Sequence, residues 1–138
     1  MAVTATPVFV QTPKIASLQL AAVNTLQPIT TLTVGANGSK IVSVIVTSTE
    51  ATSRVIRLSY TRSAKTYYLS TATVPAGAGT DGTNSTTDLL ASTLIPGLPI
   101  DNDGQHYFFL QTSDTLGVTA TVAPTANLFH VTVIYADF

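Results

Sequence analysis

The chain contains no cysteine and no tryptophan among its 138 residues. Disulfides and cysteine-based metal sites are therefore excluded as sources of stability. Charge is also scarce, since only 9% of residues are charged and the formal net charge is −1, whereas roughly 25% is typical of soluble domains. A protein that binds nucleic acid by neutralising phosphates needs many cations on one face, so this composition excludes that class.

Long hydrophobic runs are absent as well. No stretch approaches the roughly 18 consecutive apolar residues of a membrane-spanning helix, although 45% of the residues are hydrophobic. The segment from Met1 to Pro7 has neither the cationic nor the apolar part of a signal peptide. We therefore expect one globular domain that is made in a cytoplasm and does not enter a membrane.

Threonine is unusually frequent, at about one residue in six. A surface built from threonine, serine, asparagine and alanine is neutral and loses little side-chain entropy when it is covered. Low net charge also does little to keep copies of a protein apart. The composition therefore indicates either that another protein covers part of this surface or simply that the chain is a threonine-rich β-protein.

Two-residue alternation of apolar and polar residues recurs along the chain, and no long 3.6-residue period is present. This pattern predicts an all-β fold, an antiparallel sandwich or jelly roll of about eight short strands. Alternation does not reveal strand order, so an immunoglobulin-like arrangement stays open. The predicted strands are Ile15–Ala22, Ile29–Val34, Ile41–Val46, Arg54–Arg62, Tyr67–Val74, His106–Thr112, Val118–Val122 and Leu128–Tyr135.

Three features of this pattern lead to more specific predictions. The segment Gly35–Gly38 contains Asn-Gly between two strand patterns, which favours a hairpin turn. The last three predicted strands are joined by short polar connections, which favours a continuous meander from residue 105 to residue 138. The segment Ile41–Val46 is apolar at nearly every position, which is typical of a central strand packed on two sides.

Two regions depart from the alternation. Residues 1–14 are rich in threonine and proline and are predicted to form an extended N-terminal arm before a single β-sandwich domain at residues 15–138. The arm contains one apolar triplet, Val8, Phe9 and Val10, which we expect to lie on another surface. Residues 75–104 are rich in glycine and proline and are predicted to form a long loop. Within it, Asp88–Ile95 could make one or two helical turns.

The segment Gly77–Gly82 matches the spacing G-x-G-x-x-G of dinucleotide-binding loops. Such a loop needs a helix that opens at its third glycine, so that the helix N-terminus meets the pyrophosphate. The residues that follow, Thr83–Thr87, are poor helix formers, and no parallel βαβ pattern surrounds them. The segment is therefore interpreted as a glycine loop without a cofactor.

Asp101–Gly104 resembles the start of a calcium loop, because alternating carboxylates followed by glycine can surround a hard cation. The distal glutamate of such a loop is missing. Asp-Gly also commonly begins a turn, and a predicted strand opens at His106. A turn is the favoured interpretation, and a weak cation site formed by Asp101 and Asp103 is the alternative.

Catalytic side chains are few. A nucleophile–His–acid triad would have to use His106 or His130, and both lie in predicted strands among apolar neighbours. Glu50 is the only glutamate, so a glycosidase pair would need two of six scattered aspartates. We therefore predict no catalytic residues, no metal ligands and no cofactor, and hence a protein that is not an enzyme.

Two groups of adjacent aromatic residues invite a carbohydrate-binding interpretation: Tyr67 with Tyr68, and Tyr107 with Phe108 and Phe109. Because neighbouring residues on a strand point to opposite faces, each pair should contribute one inward and one outward ring. Structural packing is the favoured interpretation, and a sugar-binding platform without tryptophan is the alternative.

Five segments, in order along most of the chain, carry a resemblance to known proteins: Thr12–Ala16, Val34–Ile41, Arg54–Leu58, Val74–Gly77 and Tyr135–Phe138. Together they resemble small proteins encoded among the structural genes of tailed bacteriophages. Among such proteins, small β-sandwich or jelly-roll subunits serve as capsid decoration or cement proteins. The resemblance implies no catalytic residues.

Together these observations predict a phage virion protein, most specifically a decoration protein that binds the major capsid protein. We expect a homo-oligomer, a dimer or trimer, located in the virion and assembled in the cytoplasm of a bacterial host. Val8, Phe9 and Val10 are the predicted intersubunit or capsid contacts. The alternatives are a tail, fibre or head-spike component and a carbohydrate-binding module.

Overall fold

The computed structural model describes residues 12–138. Within this range the chain forms nine β-strands and no helix, so the predicted all-β class is confirmed. The alternation predicted the bounds of Arg54–Arg62 correctly, and most other strands differ by a few residues. The strands are β1 (Thr12–Gln19), β2 (Gln27–Pro28), β3 (Ser39–Ser48), β4 (Arg54–Arg62), β5 (Lys65–Val74), β6 (Thr87–Asp88), β7 (Phe108–Leu110), β8 (Thr115–Ala120) and β9 (Phe129–Asp137).

The strands make two antiparallel sheets that pack face to face as a sandwich. Sheet 1 has the order β1-β9-β3-β6, and β7 also pairs with β3. Sheet 2 has the order β2-β8-β4-β5. One buried cluster of apolar side chains from both sheets fills the space between them, as in other two-sheet domains.

The pairing is nested, and this identifies the topology. The first strand pairs with the last, β2 pairs with β8, β3 pairs with β7, and β4 pairs with β5. Successive pairs alternate between sheet 1 and sheet 2. A long antiparallel ribbon that is rolled up so that its pairs alternate between two sheets is a jelly roll. The structure thus selects the jelly roll over the immunoglobulin-like order.

The predicted meander at residues 105–138 is wrong for the same reason. β7 lies in sheet 1, β8 in sheet 2 and β9 in sheet 1, so these consecutive strands do not pair with each other. Each one pairs with a strand from the other half of the ribbon. Side-chain alternation is identical whichever partner a strand takes, so the local pattern could not distinguish the two arrangements.

The strand predicted at Ile29–Val34 is also absent. Strand β2 is limited to Gln27–Pro28, the Ile29 amide donates to the Leu116 carbonyl of β8 at 2.9 Å, and the backbone then turns at Thr30 and Thr31. Ile29 and Leu32 are nevertheless buried in the core. The two residues are three positions apart because a turn places both side chains inward. The apolar residues of this turn were therefore mistaken for those of a strand.

β3 is the central strand that the apolar run predicted, lying between β9 and the short strands β6 and β7. A β-bulge interrupts its pairing with β9 between Ile41 and Ser43. The bulge changes the phase of the alternation, so that Ile41 and then Val44 point into the core. The near-continuous apolar run is therefore caused partly by this change of phase.

The N-terminal region differs from its predicted boundary. Strand β1 begins at Thr12 and pairs with β9 along its whole length, so residues 12–14 belong to sheet 1 rather than to an arm. Val8, Phe9 and Val10 lie outside the described residues. Their assignment to an arm therefore stays a prediction, as does the division into arm and domain.

Residues 75–104 form a long connection that packs closely on the sandwich. Leu89 and Leu90 are buried, and the Leu89 amide donates to the Val44 carbonyl at 2.9 Å. Asp88–Ile95 makes two successive turns and no helix: the Ala91 amide donates to the Asp88 carbonyl at 3.4 Å, and the Ile95 amide donates to the Ala91 carbonyl at 3.0 Å. The segment therefore closes one side of the core.

Candidate functional site

The glycine loop at residues 77–82 is folded around one of its own side chains. The Asp81 carboxylate accepts hydrogen bonds from the Thr83 and Asn84 amides, each at 2.8 Å. These backbone hydrogen bonds lower the pKa of Asp81 below its ordinary value. A Cβ atom built at Gly77 would lie 2.6 Å from Asp81 Oδ2. A carboxylate thus occupies the amide cradle that a phosphate would need, which agrees with the interpretation as a loop.

Asp101–Gly104 is likewise a self-contained turn. Asp101 Oδ1 accepts hydrogen bonds from the amides of Asp103 and Gln105, at 3.0 and 2.9 Å, and Lys40 Nζ lies 3.5 Å from Asp101 Oδ2. The hydrogen bond from Gln105 is the main cause that lowers the pKa of Asp101. These contacts are those of an Asx-type turn. Within residues 12–138, His, Asp and Glu side chains do not gather into any metal-binding cluster of three or more.

The two histidines lie far apart in the topology. His130 is on β9, where Nε2 lies 3.0 Å from the Asn127 carbonyl and 3.4 Å from Gln19 Nε2. His106 forms an isolated bridge with Ile100, and its Nδ1 atom is buried without a hydrogen-bond partner among the described residues. The structure therefore does not bring the two histidines into one site.

The aromatic pairs follow their predicted orientation only in part. Phe108 packs against the core while Phe109 points outward, as alternation requires. Tyr67 and Tyr68 are both exposed, although they pair with Tyr60 and Ser59, neighbouring residues that point to opposite faces of β4. Tyr67 stacks on Tyr60 with ring centroids 5.2 Å apart. The Arg57 guanidinium lies 4.8 Å from the centre of the Tyr68 ring, whose residue is 68% exposed.

The outward face of sheet 1 carries exposed aliphatic side chains. Ile15 on β1 is directly opposite Ile134 on β9, and these residues are 71% and 37% exposed. Together with Pro13 they form what we call the sheet 1 patch, which borders an open groove of about 420 Å³. Isolated apolar residues are normal on a protein surface. Adjacent isoleucines on paired strands form a small contiguous patch, and such patches mark interaction sites when they are larger or extended.

A second apolar feature lies at the end of sheet 1, three strands away from β1. Phe109 is 53% exposed and contacts two other rings, with centroids 5.3 Å from Tyr107 and 5.6 Å from Phe138. Phe109 and Phe138 border a groove of about 480 Å³, here named the Phe109 groove. Its other lining residues are Ala36, Asn37, Gly38, Leu110, Gln111 and Thr112.

Backbone hydrogen bonds hold the wall of the Phe109 groove. The Gly38 amide donates to the Gly35 carbonyl at 2.9 Å, so residues 35–38 form a turn. The predicted hairpin is wrong, because the segment before the turn is not a strand and β2 and β3 lie in different sheets. Gly38 has φ of +93°, and a Cβ atom there would lie 2.9 Å from the Leu110 carbonyl oxygen. Thr112 Oγ1 donates towards the Gly35 and Ala36 carbonyls.

Asp137 connects the three strands at this end of the sheet. Its carboxylate forms an ion pair with Lys14 on β1 and accepts a 2.5 Å hydrogen bond from Ser39 Oγ on β3. Burial opposes ionisation of Asp137, but the hydrogen bonds from Lys14 and Ser39 outweigh it and the pKa lies below its ordinary value. The charges near the start of β1 are thus paired, and the neighbouring sheet 1 patch carries no free charge of its own.

The sequence analysis did not single out Ile15, Ile134 or Phe138 as surface residues. The sequence did contain one indication for Ile134, because alternation along β9 places it on the same face as the polar residues His130 and Thr132. The position of Ile15 next to Ile134 depends on the pairing of β1 with β9. That pairing joins the two ends of the described chain, so no local pattern reveals it.

The predicted contacts Val8, Phe9 and Val10 lie outside the described residues. No helix in residues 12–138 is long and apolar enough to cross a membrane. A scan against protein-family models finds no match to this chain, and a search of curated proteins finds no sequence with significant similarity.

Proposed function

We propose that the chain is a virion structural protein of a tailed bacteriophage, which binds the assembled head as a decoration protein. In this proposal it acts by binding and not by catalysis, and its partners are the major capsid protein and further copies of itself. The resemblance to phage structural proteins motivates the proposal. The exposed sheet 1 patch on a charge-poor domain is the structural observation that supports it.

The sheet 1 patch suits a surface that is covered in an assembly. Ile15 and Ile134 are rigid, β-branched side chains held on paired strands, so covering them costs little side-chain entropy. Burying an isoleucine contributes about 1.5–3 kcal/mol. A single copy would bind weakly, but a symmetric shell presents many equivalent sites, and contacts between neighbouring copies would add avidity.

Decoration would stabilise the head by mass action. A subunit that binds the expanded shell and not the disassembled capsid protein lowers the free energy of the shell in proportion to its occupancy. The jelly-roll topology is compatible with this role, since jelly rolls occur in viral capsid proteins. The same topology also occurs in lectins, so topology alone does not choose between a virion role and sugar binding.

The test is binding to expanded heads that lack the protein. Purified protein should co-sediment with these heads and saturate at a fixed number of copies, in the hundreds for a decoration protein. The double variant Ile15→Thr/Ile134→Thr should bind at least about tenfold more weakly, because it removes apolar burial while keeping β-branched residues.

A matched control changes the other sheet. Thr71→Ala/Thr73→Ala alters two exposed residues of β5 on the outward face of sheet 2 and should bind heads like the unchanged protein. Absence of binding by the unchanged protein would refute the decoration role. Saturation at only a few copies would instead assign the protein to a tail, fibre or spike.

Carbohydrate binding is the second candidate, and one observation favours it. Among residues 12–138, Tyr68 is the most exposed aromatic residue, and Arg57 lies against its ring. A ring with an adjacent cation and neighbouring threonines can stack on a sugar and donate hydrogen bonds to it. Binding on a glycan array that Tyr68→Ala abolishes would support this function, and a silent array would exclude it for the glycans tested.

A further inference from the structure

Arg57 is a cation that the chain does not balance with a carboxylate of its own. All seven acidic residues lie within residues 12–138, so the surroundings of every carboxylate side chain are described. Among these residues, four cations form ion pairs: Lys14, Lys40, Arg54 and Arg62. Of the two cations left over, Lys65 is exposed at the start of β5, whereas Arg57 is partly buried in the middle of β4.

Arg57 lies on the outward face of sheet 2. Strand β4 pairs with β5 on one side and β8 on the other, and Arg57 is opposite Thr71 and Thr119 in these pairings. Ser59, the next outward residue of β4, is opposite Tyr68. Tyr68 is therefore a diagonal neighbour of Arg57, which explains why its ring centre lies 4.8 Å from the guanidinium. One cation, one exposed ring and two threonines thus lie together on this face.

The contact with Tyr68 leaves the guanidinium able to bind an anion. A guanidinium that stacks on a ring uses its planar face, while its N–H donors point outward from its edge. Two of these donors match the two oxygens of a carboxylate, and such bidentate pairs are stronger and more directional than hydrogen bonds between neutral groups. Because none of the seven acidic residues forms an ion pair with Arg57, a ligand has to supply that carboxylate.

The surroundings of Arg57 favour a sugar as the carrier of the carboxylate. Tyr68 is 68% exposed even with Arg57 against it, so much of its ring is open to stack on the apolar face of a sugar. Thr71 and Thr73 are exposed on the same face of β5, and their hydroxyl groups can donate and accept hydrogen bonds with sugar hydroxyl groups. An acidic segment of a protein would need the cation but not this row of hydroxyl groups.

We propose that Arg57 and Tyr68 form a binding site for acidic saccharides, in which Tyr68 stacks on a sugar ring and Arg57 binds its carboxylate. Uronic acids and sialic acids are the sugars of this class. The inference rests on carbohydrate binding, the second candidate function, and names its class of ligand. It is independent of the head-binding proposal, because that proposal concerns the outward face of sheet 1.

The test is a glycan array that presents uronic-acid and sialic-acid oligosaccharides beside the same compounds with methyl-esterified carboxyl groups. The unchanged protein should bind the acids at least about tenfold more tightly than the esters, because esterification removes the charge and keeps the sugar ring. Arg57→Gln should weaken binding of the acids to that of the esters. Arg57→Lys should keep only part of the preference for acids, because an ammonium group lacks the bidentate geometry. Tyr68→Ala should weaken binding of both forms.

The matched control is Lys65→Gln, which removes the other cation without an ion pair. Lys65 is opposite Arg62 at the end of the sheet, and alternation places it on the other face from Tyr68. This variant should bind acids and esters as the unchanged protein does. The comparison of acids with esters uses the unchanged protein, so it remains decisive even where a substitution at Arg57 destabilises the fold.

Three results would overturn the proposal. Equal binding of acids and esters would keep carbohydrate binding as a function but exclude a carboxylate as the group that is recognised. A preference for acids that Arg57→Gln leaves unchanged would place the carboxylate at another cation. A silent array would refute both this inference and the second candidate function, and a loss of head binding in Arg57→Gln would then assign this cation to an acidic group of the capsid.

Discussion

The two sheets of the sandwich share an apolar inward face, but their outward faces differ. The outward face of sheet 1 presents Ile15 and Ile134 side by side and the Phe109 ring further along. The outward face of sheet 2 is largely threonine, with Thr71 and Thr119 on either side of Arg57. Both sheets are built from the same alternating pattern, so the difference concerns only which residues occupy the outward positions.

Sheet 2 also covers part of its outward face with its own chain. Leu26 lies over Gly117, where a Cβ atom would meet Leu26 Cδ1 at 2.9 Å. Ser59, which pairs with Gly117, is buried beneath this region although its position is outward. No such cover is present over Ile15 within the described residues. Sheet 2 thus covers part of its outward face with its own chain and presents mainly threonine and the exposed Tyr68 ring on the rest, whereas sheet 1 leaves aliphatic surface for another occupant.

The largest expected effect is the loss of unfolding free energy when an inward ring of sheet 1 is removed, compared with the loss when an outward ring is removed. Phe129 is fully buried, and Phe129→Ala should lower the free energy of unfolding by about 3–5 kcal/mol, because it removes burial and leaves a cavity. Phe109→Ala changes an outward ring and should cost about 1 kcal/mol or less. Urea denaturation of both variants measures this difference, and similar losses would contradict the assigned orientation of the two rings.

Each sheet also has, near its end, a carboxylate that forms an ion pair. Lowering the pH should remove the stability that each of these carboxylates contributes. Asp114 accepts hydrogen bonds from Arg62 Nε at 2.8 Å and from the Gln111 amide at 2.8 Å. The hydrogen bonds from Arg62 lower the pKa of Asp114 against the opposing effect of burial. A carboxyl whose pKa is lower in the folded state stabilises the protein above its unfolded pKa of about 4. That stability is lost as the pH falls through the folded pKa.

Asp114→Asn should therefore cost about 1–3 kcal/mol at pH 7 and flatten the loss of stability as the pH falls below about 4. Asp137→Asn should flatten the same region, since the pKa of Asp137 is also lowered. Denaturation curves at several pH values measure both effects. Asp103→Asn, which changes an exposed residue, is the control and should lose stability at low pH as the unchanged protein does. If Asp114→Asn did so as well, the ion pair of Asp114 with Arg62 would be excluded as the cause of that loss.

A substitution in the turn before β3 should have a smaller effect on the free energy of unfolding. Gly38 has a positive φ, and its missing Cβ would approach the Leu110 carbonyl. Gly38→Ala should therefore cost about 1–3 kcal/mol in unfolding free energy. Gly97→Ala is the matched control, because open space surrounds that position, and it should change stability by about 0.5 kcal/mol or less. Equal losses would mean that the backbone at Gly38 rearranges without strain.

The smallest effect should come from the sheet 1 patch itself. Ile15→Thr makes this outward position resemble sheet 2 and should change the free energy of unfolding by about 0.5 kcal/mol or less. Val133→Thr, on the neighbouring strand, places a hydroxyl group in the core and should cost about 1–3 kcal/mol. A large loss for Ile15→Thr in thermal or urea unfolding would show that Ile15 is structural and would weaken the case for a binding face.

The sequence pattern predicted most strands because each depends on a period that neighbouring residues carry. Arg54–Arg62 has the predicted bounds, and β5 and β9 differ from their predictions by two residues or fewer at each end. The strand prediction for Ile29–Val34 failed because the backbone turns after Ile29, and this turn buries Leu32 without further strand pairing. The candidate surfaces were less predictable, since exposure of Ile15 or Phe109 depends on what the rest of the chain covers.

The sequence by itself determined the all-β class, the inward and outward assignment along most strands, the turn at Gly38 and the scarcity of charged surface. Only the tertiary structure decided which strands are neighbours. It aligned Pro13, Ala136, Lys40 and Phe109 in one row, although the first and last of these are separated by most of the chain. The reason is that any strand edge offers the same backbone donors and acceptors, so the choice of partner depends on the packing of the whole core.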